Sequence, residues 1–342
     1  MTEYMEPKDL VGILPERLLP WYDSHRRVLP WRRDREPYHI WLSEIMLQQT
    51  RVEAVKGYYE VFLRELPTVE ALANAQEDQL LKLWEGLGYY SRVRNLQKAA
   101  REILSLGVFP REYKDLLQLS GIGPYTAGAI ASICFEKPTP AVDGNVIRVL
   151  SRILGKTVER QEATALLEPI YPVGRCGDFT QALMELGATV CGPNGEPKCS
   201  ECPMGDRCRG KALGIQRELP QKQPKKPRRV ERRTVFLLRC GDKLAVCKRP
   251  QRGLLAGLWQ FPDTEGHLTM TEALELASQW GVAPQGPEME LERNHIFTHV
   301  EWKLKGIRLQ CGTMSQAFQW FTEEEIGEKI GLPTAYRQFL DI

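Results

Sequence analysis

The sequence predicts a multidomain protein in which an all-α region is followed by an α+β domain. Apolar residues recur at helical spacing through most of residues 15–190. Beyond residue 233 the apolar runs become β-branched and aromatic, and turns separate them. The length of the chain agrees with this division, because 342 residues exceed the usual size of one domain.

The all-α region contains a series of amphipathic segments separated by prolines and by pairs of glycines. Each segment places its apolar residues three or four positions apart, which gives a helix one apolar face. The predicted helices lie near residues 15–25, 41–51, 57–65, 77–84, 91–106, 111–118, 125–134, 144–154 and 178–188.

A basic segment with three prolines separates the two regions. The run ELPQKQPKKPRRVERR, residues 218–233, cannot bury enough apolar surface to fold alone and predicts a solvated linker whose charge suits phosphate. The domain that follows, 234–342, is predicted to contain the helix TMTEALELASQWG and the strands TVFLLRC, KLAVCKR, LWQFP, HIFTHVEWKLKGIRLQC and FQWF.

The composition predicts a cytoplasmic protein. The first residues, MTEYMEPKDL, are acidic and contain neither a basic leader nor an apolar core, and the apolar runs are short and interrupted. A net charge of +2 says little by itself about nucleic acid. We therefore expect no membrane span.

The segment CGPNGEPKCSECPMGDRC, residues 191–208, predicts a metal site. Its cysteines follow the spacing Cys-x7-Cys-x2-Cys-x5-Cys, and the other five are scattered, which argues against a disulfide framework. Four thiolates on one loop suit either tetrahedral zinc or a cubane iron-sulfur cluster. Zinc sites tend to use two Cys-x2-Cys arms, so the single arm here favours iron and sulfur. The candidate ligands are Cys191, Cys199, Cys202 and Cys208.

The stretch WLSEIMLQQTR, residues 41–51, places an acid on an apolar face. As a helix it puts Glu44 beside Ile40, Trp41 and Leu47. Two glutamines then follow where a plain amphipathic helix would supply leucine or charge. This break in the pattern makes Glu44 a candidate functional residue.

Two glycines in LSGIGPYTAGAIAS, residues 119–132, predict a tight turn between helices. Gly121 and Gly123 permit close backbone approach, and the N-terminus of the next helix could bind phosphate; a bland turn is the alternative. Further on, Asp143 stands at the start of the helix in PAVDGNVIRVLSR, which is the ordinary place of an N-cap. The helix dipole there would also keep its carboxylate ionised, which allows a functional charge.

With these features in order, residues 10–210 resemble the helix-hairpin-helix DNA glycosylases of the endonuclease III superfamily, which carry an iron-sulfur loop. Within that superfamily, the segments SEIMLQQTRV, WEGLGYYSRVRNL, SGIGPYTAGAI and PAVDGNVIRVL resemble the adenine DNA glycosylase (MutY) family. Residues 234–342 resemble, more weakly, the MutT-like or Nudix-like C-terminal domain of that family. The implied domains are a glycosylase domain over 1–217, the linker 218–233 and a lesion-recognition domain over 234–342.

The resemblance implies excision of adenine mispaired with 8-oxoguanine, or with guanine, in double-stranded DNA during base excision repair. Adenine would be flipped out, protonated at N7 and cleaved from a sugar with oxocarbenium character. Glu44 would donate the proton and Asp143 would stabilise the cation. Tyr125 stands where lyase relatives have a Schiff-base lysine, which implies a monofunctional enzyme, and Asn145 would hydrogen-bond in the same pocket.

The resemblance assigns further roles by position. Gln49 and Tyr89 match residues that enter the duplex as a wedge, and Trp31, Arg32 and Gln181 match the lining of the adenine pocket. Core packing is the alternative for Trp31 and Tyr89. One [4Fe-4S] cluster is implied at the four cysteines, and a monovalent or divalent cation bound at the hairpin is left open. The first cysteine gap is seven residues where the family suggests six, an insertion that a loop can absorb.

In the second domain, Phe297, Thr298 and His299 match the family's Phe-Ser-His loop, which reads 8-oxoguanine. Threonine keeps the hydroxyl of the usual serine, so its hydrogen bonding should survive. A structural histidine on a strand is the alternative for His299. A MutT-type hydrolase also needs paired acids on a helix to hold magnesium, and this chain has Ser278 and Gln279 there. Lesion recognition is therefore predicted for this domain.

Two functions of other classes compete with adenine removal. A nucleotide-pool pyrophosphatase would need the missing pair of acids. A mismatch-sensing DNA-binding protein would keep the hairpin and the cysteines but has no need for Glu44 and Asp143 together. We expect a monomer that acts on double-stranded DNA.

Overall fold

The computed structural model describes residues 5–221 and 227–340, which form two compact units. The helical unit comprises residues 5–74 and 94–221, and the sheet unit comprises residues 75–93 and 227–340. Residues 75–93 lie within the predicted glycosylase domain along the chain, but by their contacts they belong to the sheet unit. The predicted fold class, a helical domain and a domain containing a sheet, is confirmed.

Helices account for nearly all of the regular structure before the cysteine segment. Two short 3-10 helices cover Pro30–Arg32 and Glu168–Ile170. The α-helices of the described residues are α1 (Pro7–Gly12), α2 (Leu14–His25), α3 (Pro37–Leu47), α4 (Val52–Glu65), α5 (Val69–Asn74), α6 (Glu77–Leu83), α7 (Ser91–Leu106), α8 (Tyr113–Leu116), α9 (Pro124–Phe135), α10 (Gly144–Leu154), α11 (Arg160–Leu167), α12 (Cys176–Thr189), α13 (Arg209–Ala212), α14 (Met270–Gln279), α15 (Glu323–Lys329) and α16 (Thr334–Arg337).

The predicted helices 91–106 and 144–154 agree with α7 and α10 at both ends. The prediction for residues 41–51 is wrong at its C-terminal end, because α3 stops at Leu47 and the two glutamines form a turn. A new helix, α4, then begins at Val52, five residues earlier than predicted. Glu44 therefore lies in the last turn of α3, shortly before the turn at residues 48–49.

The core of the helical unit lies mainly between α2, α10 and α12. Leu18, Val149 and Phe179, one from each helix, are at most 1% exposed. Apolar side chains three or four positions apart form the buried faces, as their spacing predicts. This packing fixes the ends of α10 and α12, where several candidate site residues lie.

The sheet unit contains the strands β1 (Arg229–Cys240), β2 (Lys243–Lys248), β3 (Trp259–Gln260), β4 (Asp263–Glu265), β5 (Pro284–Ile296), β6 (Val300–Cys311) and β7 (Gln319–Thr322). The main strand order is β3-β2-β1-β6-β5, with β4 paired to β1 and β7 to β2. β1 and β6 run parallel, and β5 and β6 are antiparallel.

Alternate residues of β1 enter two different cores. Val235 and Leu237 pack on one face with residues of α15 and α16, while Phe236 and Leu238 pack on the other with residues of α14. This period of two is what a strand buried on both faces requires.

Two predictions for this region need correction. Residues 229–233, predicted as part of the linker 218–233, form the start of β1. The single run 295–311 is two antiparallel strands, and residues 297–299 connect them. Within the predicted linker, residues 222–226 lie outside the described residues.

The segment 75–93 is held in the sheet unit by polar contacts on α6. Asp78 accepts hydrogen bonds from Lys248 at 2.9 Å and from the indole nitrogen of Trp259 at 3.1 Å. Glu85, just after α6, accepts from the backbone of Leu332 at 2.9 Å. Among the described residues, no helix is long and apolar enough to cross a membrane.

Candidate active site

A cavity of about 850 Å³ lies in the helical unit, between α3, α9, α12 and the start of α10. Its wall brings together residues that the sequence scatters over 150 positions, as an enzyme pocket does. All the site residues predicted in this unit outside the cysteine segment line it: Trp31, Arg32, Glu44, Gln49, Gly121, Gly123, Tyr125, Asp143, Asn145 and Gln181.

Glu44 is a buried acid in the wall of this cavity, with 6% of its surface exposed. Burial disfavours its charged form, while the hydrogen bond from Tyr125 acts the opposite way. The negative charge of Asp143 adds to the effect of burial, and the charge of Arg32 opposes it. The net result is a pKa of about 7 for the Glu44 carboxyl, so the group can carry a proton near neutral pH.

Tyr125 fixes the orientation of the Glu44 carboxyl group. Its hydroxyl donates to Glu44 Oε2 at 2.5 Å and lies 3.8 Å from the sulfur of Met184. Burial, and then the charges of Glu44 and Asp143, raise the pKa of Tyr125 well above its ordinary value. The phenol therefore stays a donor, and it engages one of the two carboxyl oxygens of Glu44.

Asp143 caps α10 and also lines the cavity, so the two alternatives for this residue hold together. Its Oδ1 accepts from the backbone nitrogen of Val146 at 2.8 Å, and its Oδ2 accepts from the Asn145 side chain at 2.6 Å. Arg148 in turn donates to Asn145 Oδ1 at 2.8 Å. A chain of donors thus holds the carboxylate in place.

Trp31 and Gln181 form part of the cavity wall. Trp31 is 6% exposed and packs edge-on against Tyr59, with ring centroids 5.6 Å apart, so core packing and pocket lining coincide in this residue. The hydroxyl of Tyr22 donates to Gln181 Oε1 at 3.0 Å. This bond directs the amide so that its NH₂ group remains available as a donor.

Glu185 and Arg27 also line the cavity, although they are not among the predicted site residues. The Glu185 side chain is fully buried and accepts from Arg27 Nε at 2.7 Å and from Arg32 Nη2 at 2.8 Å. The signal in the sequence was the one used for Glu44, an acid within the apolar helical run QALMELGATV. The same reasoning would have found Glu185.

The glycine hairpin precedes α9 at one edge of the cavity. Gly121 has a φ of 76°, and a Cβ placed there would lie 2.6 Å from the Cβ of Asn95. Ser120 is tied to Glu102 through its backbone nitrogen at 2.8 Å and its hydroxyl at 2.7 Å. This position therefore requires glycine; phosphate binding at the hairpin stays a prediction.

Both predicted wedge residues have left-handed backbone conformations. Gln49 in the helical unit has a φ of 59°, and Tyr89 in the sheet unit has a φ of 47°. Gln49 is exposed and Tyr89 is 47% exposed, so core packing does not account for Tyr89. Residues other than glycine rarely adopt such conformations, and they concentrate at functional sites.

In the connection formed by residues 297–299, the first residue is anchored and the other two are exposed. The Phe297 ring packs on Trp302, with centroids 4.9 Å apart, and is partly buried. Thr298 and His299 are exposed, and His299 lies in the loop between strands. The Thr298 hydroxyl is 2.6 Å from the hydroxyl of Tyr89, so the sheet unit joins two predicted DNA-contacting residues that are far apart in sequence.

The four cysteines of residues 191–208 line one small cavity beside α10. Arg152 in its wall is 4% exposed and donates to the sulfur of Cys191 at 3.4 Å. Burial raises the pKa of Cys202 to about 12. In the part of the chain that the structure describes, no group of three or more Cys, His, Asp or Glu side chains is arranged around a single metal ion.

Comparison with known protein families gives two matches along the chain. Residues 42–172 match the HhH-GPD superfamily base excision DNA repair protein, and residues 234–341 match the NUDIX domain. The first match includes Glu44, Asp143 and the glycine hairpin, while the cavity residues before position 42 and after position 172 lie outside it. The second match covers most of the sheet unit.

The chain is similar to curated adenine DNA glycosylases over most of its length. It is 36% identical to the one from Homo sapiens, over 90% of this chain and 70% of the relative. It is 30% identical to the one from Buchnera aphidicola subsp. Acyrthosiphon pisum, over 96% of this chain and 97% of the relative.

Solved structures agree with the helical fold. A thermostable thymine-DNA glycosylase is 30% identical, with a TM-score of 0.56 over 60% of this chain and 98% of that one. An endonuclease III in a non-covalent DNA complex is 22% identical, with a TM-score of 0.53 over 62% of this chain and 99% of that one, and shows the same fold.

Proposed function

This chain belongs to the adenine DNA glycosylase family, a DNA glycosylase family of base excision repair, and we propose that it removes adenine paired with 8-oxoguanine or with guanine. The observation that carries the proposed chemistry is the pair of carboxyl groups in one cavity. Glu44 is buried with a pKa of about 7, and Asp143 is held by N–H donors. A carboxyl group that can donate a proton and a second carboxyl group held in place beside it are the pair that the cleavage of an N-glycosidic bond requires.

In the proposed reaction, Glu44 delivers a proton to N7 of the flipped adenine. The protonated base becomes a better leaving group, and its bond to the sugar breaks with positive charge developing on the sugar. Tyr125 holds the donor carboxyl in position. The cavity of about 850 Å³ is large enough for a purine and its sugar.

Asp143 stabilises the positive sugar, and Asn145 keeps the Asp143 carboxylate aligned. A water oxygen then bonds to C1′ of the sugar cation and its proton returns to the Glu44 carboxylate, which leaves an abasic site and free adenine. Because Tyr125 stands where a Schiff-base lysine would be needed, no strand cleavage by the enzyme is expected.

Extrusion of the adenine is assigned to Gln49 and Tyr89. Their exposure and their left-handed backbones support a wedge role, since such conformations persist only where surrounding structure enforces them. A side chain that enters the duplex repays the cost of unstacking with new contacts.

The sheet unit is proposed to read the base opposite the adenine. Thr298 and His299 are exposed, and Phe297 anchors their loop on Trp302. On α14, Ser278 and Gln279 replace the acids that would hold magnesium on a diphosphate. These observations support recognition of a lesion and argue against a nucleotide hydrolase.

A [4Fe-4S] cluster is proposed at Cys191, Cys199, Cys202 and Cys208. The four cysteines line one small cavity, and the sequence has only one of the two Cys-x2-Cys arms that zinc sites tend to use. The four thiolates would hold the cluster, and the buried Arg152, which donates to the sulfur of Cys191, would suit its negative charge. The cluster would cross-link the loop to the helical unit. Purified protein should be yellow-brown; a colourless protein with stoichiometric zinc would refute this assignment.

An alkali-scission assay tests the proposed function. Duplexes with adenine opposite 8-oxoguanine, guanine or thymine are incubated with the protein and analysed before and after alkali. We expect scission after alkali only, and only for the first two duplexes. Intact strands after alkali would refute adenine removal, and scission before alkali would contradict the role of Tyr125. Cytoplasmic location and action as a monomer stay predictions.

A further inference from the structure

We propose that Glu185 is a positioning residue of the candidate active-site cavity, which holds the guanidinium groups of Arg27 and Arg32 in the cavity wall and offsets their charge there. This inference rests on the proposed function, because it takes Glu44 as the proton donor. It assigns a role to a buried acid whose carboxylate accepts hydrogen bonds from Arg27 and Arg32.

Both carboxylate oxygens of Glu185 accept hydrogen bonds from arginine side chains. Its side chain is 0% exposed. One oxygen accepts from the backbone nitrogen of Arg27 at 3.1 Å and from Arg27 Nε at 2.7 Å, while the other accepts from Arg27 Nη2 at 3.0 Å and Arg32 Nη2 at 2.8 Å. Such bidentate pairing fixes direction as well as distance.

The arrangement orients a wider part of the wall. Arg32 also donates to the backbone oxygen of Arg27 at 3.2 Å, and its guanidinium lies 5.7 Å from the ring centre of Tyr22. Tyr22 holds Gln181, which is one helical turn before Glu185 on α12. Glu185 is thus the shared acceptor that holds the two arginine side chains in this part of the cavity wall.

Glu185, Arg27 and Arg32 form a charged cluster, and its net charge affects the proton donor, Glu44. Glu185, Arg27 and Arg32 carry one negative and two positive charges, a net charge of +1. The charge of Arg32 acts on Glu44 and favours its carboxylate form, which cannot donate a proton. Without Glu185 the two guanidinium groups would carry +2 in the cavity wall, and Glu44 would lose its proton at lower pH.

Burial alone would raise the pKa of Glu185, but the hydrogen bonds and charges of Arg27 and Arg32 hold it below its ordinary value. Glu185 therefore keeps its negative charge over the range in which Glu44 titrates. The other charged or titratable groups that line the cavity or act on Glu44 are Tyr125 and Cys134 from α9, Asp143 before α10 and Arg160 from α11.

The test compares pH profiles of adenine excision under single-turnover conditions. In Glu185→Gln, the fall in rate at high pH should begin about one pH unit lower than in the wild type, which lowers the rate at pH 8 about tenfold. Glu185→Asp keeps the charge, so its profile should fall at the wild-type pH, whatever its maximum rate.

Two further variants separate charge from packing. Glu185→Gln combined with Arg27→Met restores a net charge of +1 and should return the fall in rate to the wild-type pH. Arg27→Met alone lowers the net charge to 0 and should move the fall to higher pH. Arg27 has a 35% exposed side chain, so this variant provides a test even where Glu185→Gln fails to fold.

Asp178→Asn is the matched control. Asp178 lies on the same helix, has a 16% exposed side chain and pairs with Arg175 and Arg35, but it does not line the cavity. Its profile should match that of the wild type. Melting temperatures of all variants would show how much of any loss of activity comes from stability.

Measuring the titration of the Glu44 carboxyl group directly tests this inference without relying on adenine excision, and so keeps it separate from the proposed function. Carbon-13 carboxyl signals of labelled protein, assigned with Glu44→Gln, should titrate at lower pH in Glu185→Gln and at higher pH in Arg27→Met. Equal titration of Glu44 in all variants would overturn the proposal, as would superimposable pH profiles. Failure of the wild type to release adenine would instead overturn the proposed function.

Discussion

The candidate active-site cavity of the helical unit and the 297–299 loop of the sheet unit differ in how far their side chains are exposed. In the cavity, Glu44 is 6% exposed, and its properties come from burial and from fixed partners. In the loop, Thr298 is exposed, and its neighbour Tyr89 is 47% exposed. In the cavity, burial raises the pKa of a carboxyl group. The loop instead leaves its polar side chains accessible to a binding partner.

This difference sets the size of effect expected from substitution. An interaction in a dry, preorganised site acts on a transition state with little competition from water. An exposed hydrogen bond exchanges with water and contributes a small net free energy. Changes in the cavity should therefore alter rates by orders of magnitude, and changes in the loop should alter selectivity by smaller factors.

The largest effect is expected from Glu44→Gln. Glutamine keeps the size of the side chain and an acceptor for Tyr125 but cannot protonate adenine, so the single-turnover rate should fall by about 10²–10⁴. Binding to the mispair, measured by gel shift, should stay close to that of the wild type. Glu60→Gln, which removes an exposed partner of Arg33, is the control. Loss of binding in Glu44→Gln would make Glu44 a structural residue.

Asp143→Asn should have the next largest effect. Asparagine caps a helix as well as aspartate does, so stability should be retained while the charge that stabilises the sugar cation is lost. We expect a rate lower by about 10²–10³. If Asp143→Asn keeps the wild-type rate and only Asp143→Ala loses activity together with melting temperature, Asp143 is a cap alone.

Sequence reasoning predicted the cavity better than it predicted the turns around it. Glu44 could be found because an acid on an apolar helix breaks a local pattern. The end of α3 at Leu47 could not be found, because the turn at Gln48 and Gln49 contains neither glycine nor proline and depends on tertiary packing.

Contacts between distant residues were beyond the sequence. Nothing local in Glu185 shows that Arg27 and Arg32 are its partners, 158 and 153 positions away. The pairing of Tyr89 with Thr298 spans 209 positions. The resemblance assigned Tyr89 and Thr298 to different tasks, and only the fold joins them in one unit.

The pH dependence of the wild type gives a smaller, graded effect. Because burial raises the pKa of Glu44 to about 7, the protonated and active form predominates below that pH and is lost above it. The single-turnover rate should fall about tenfold per pH unit at higher pH. Tyr125→Phe removes a bond that lowers this pKa, so the fall should move to higher pH. A flat profile up to pH 9 would show that Glu44 is not the donor.

The smallest effect is expected in the loop, where Tyr89 and Thr298 share one hydrogen bond. Thr298→Val and Tyr89→Phe each remove it with little change of shape, and each should lower the preference for adenine opposite 8-oxoguanine over adenine opposite guanine by about threefold to tenfold. Thr298→Ser keeps the hydroxyl and should match the wild type. The double variant should lose little more than either single variant, because the same bond is already broken. Losses that multiply in the double variant would mean that the two hydroxyls act independently on the DNA, and that the sheet unit does not read the lesion through their contact.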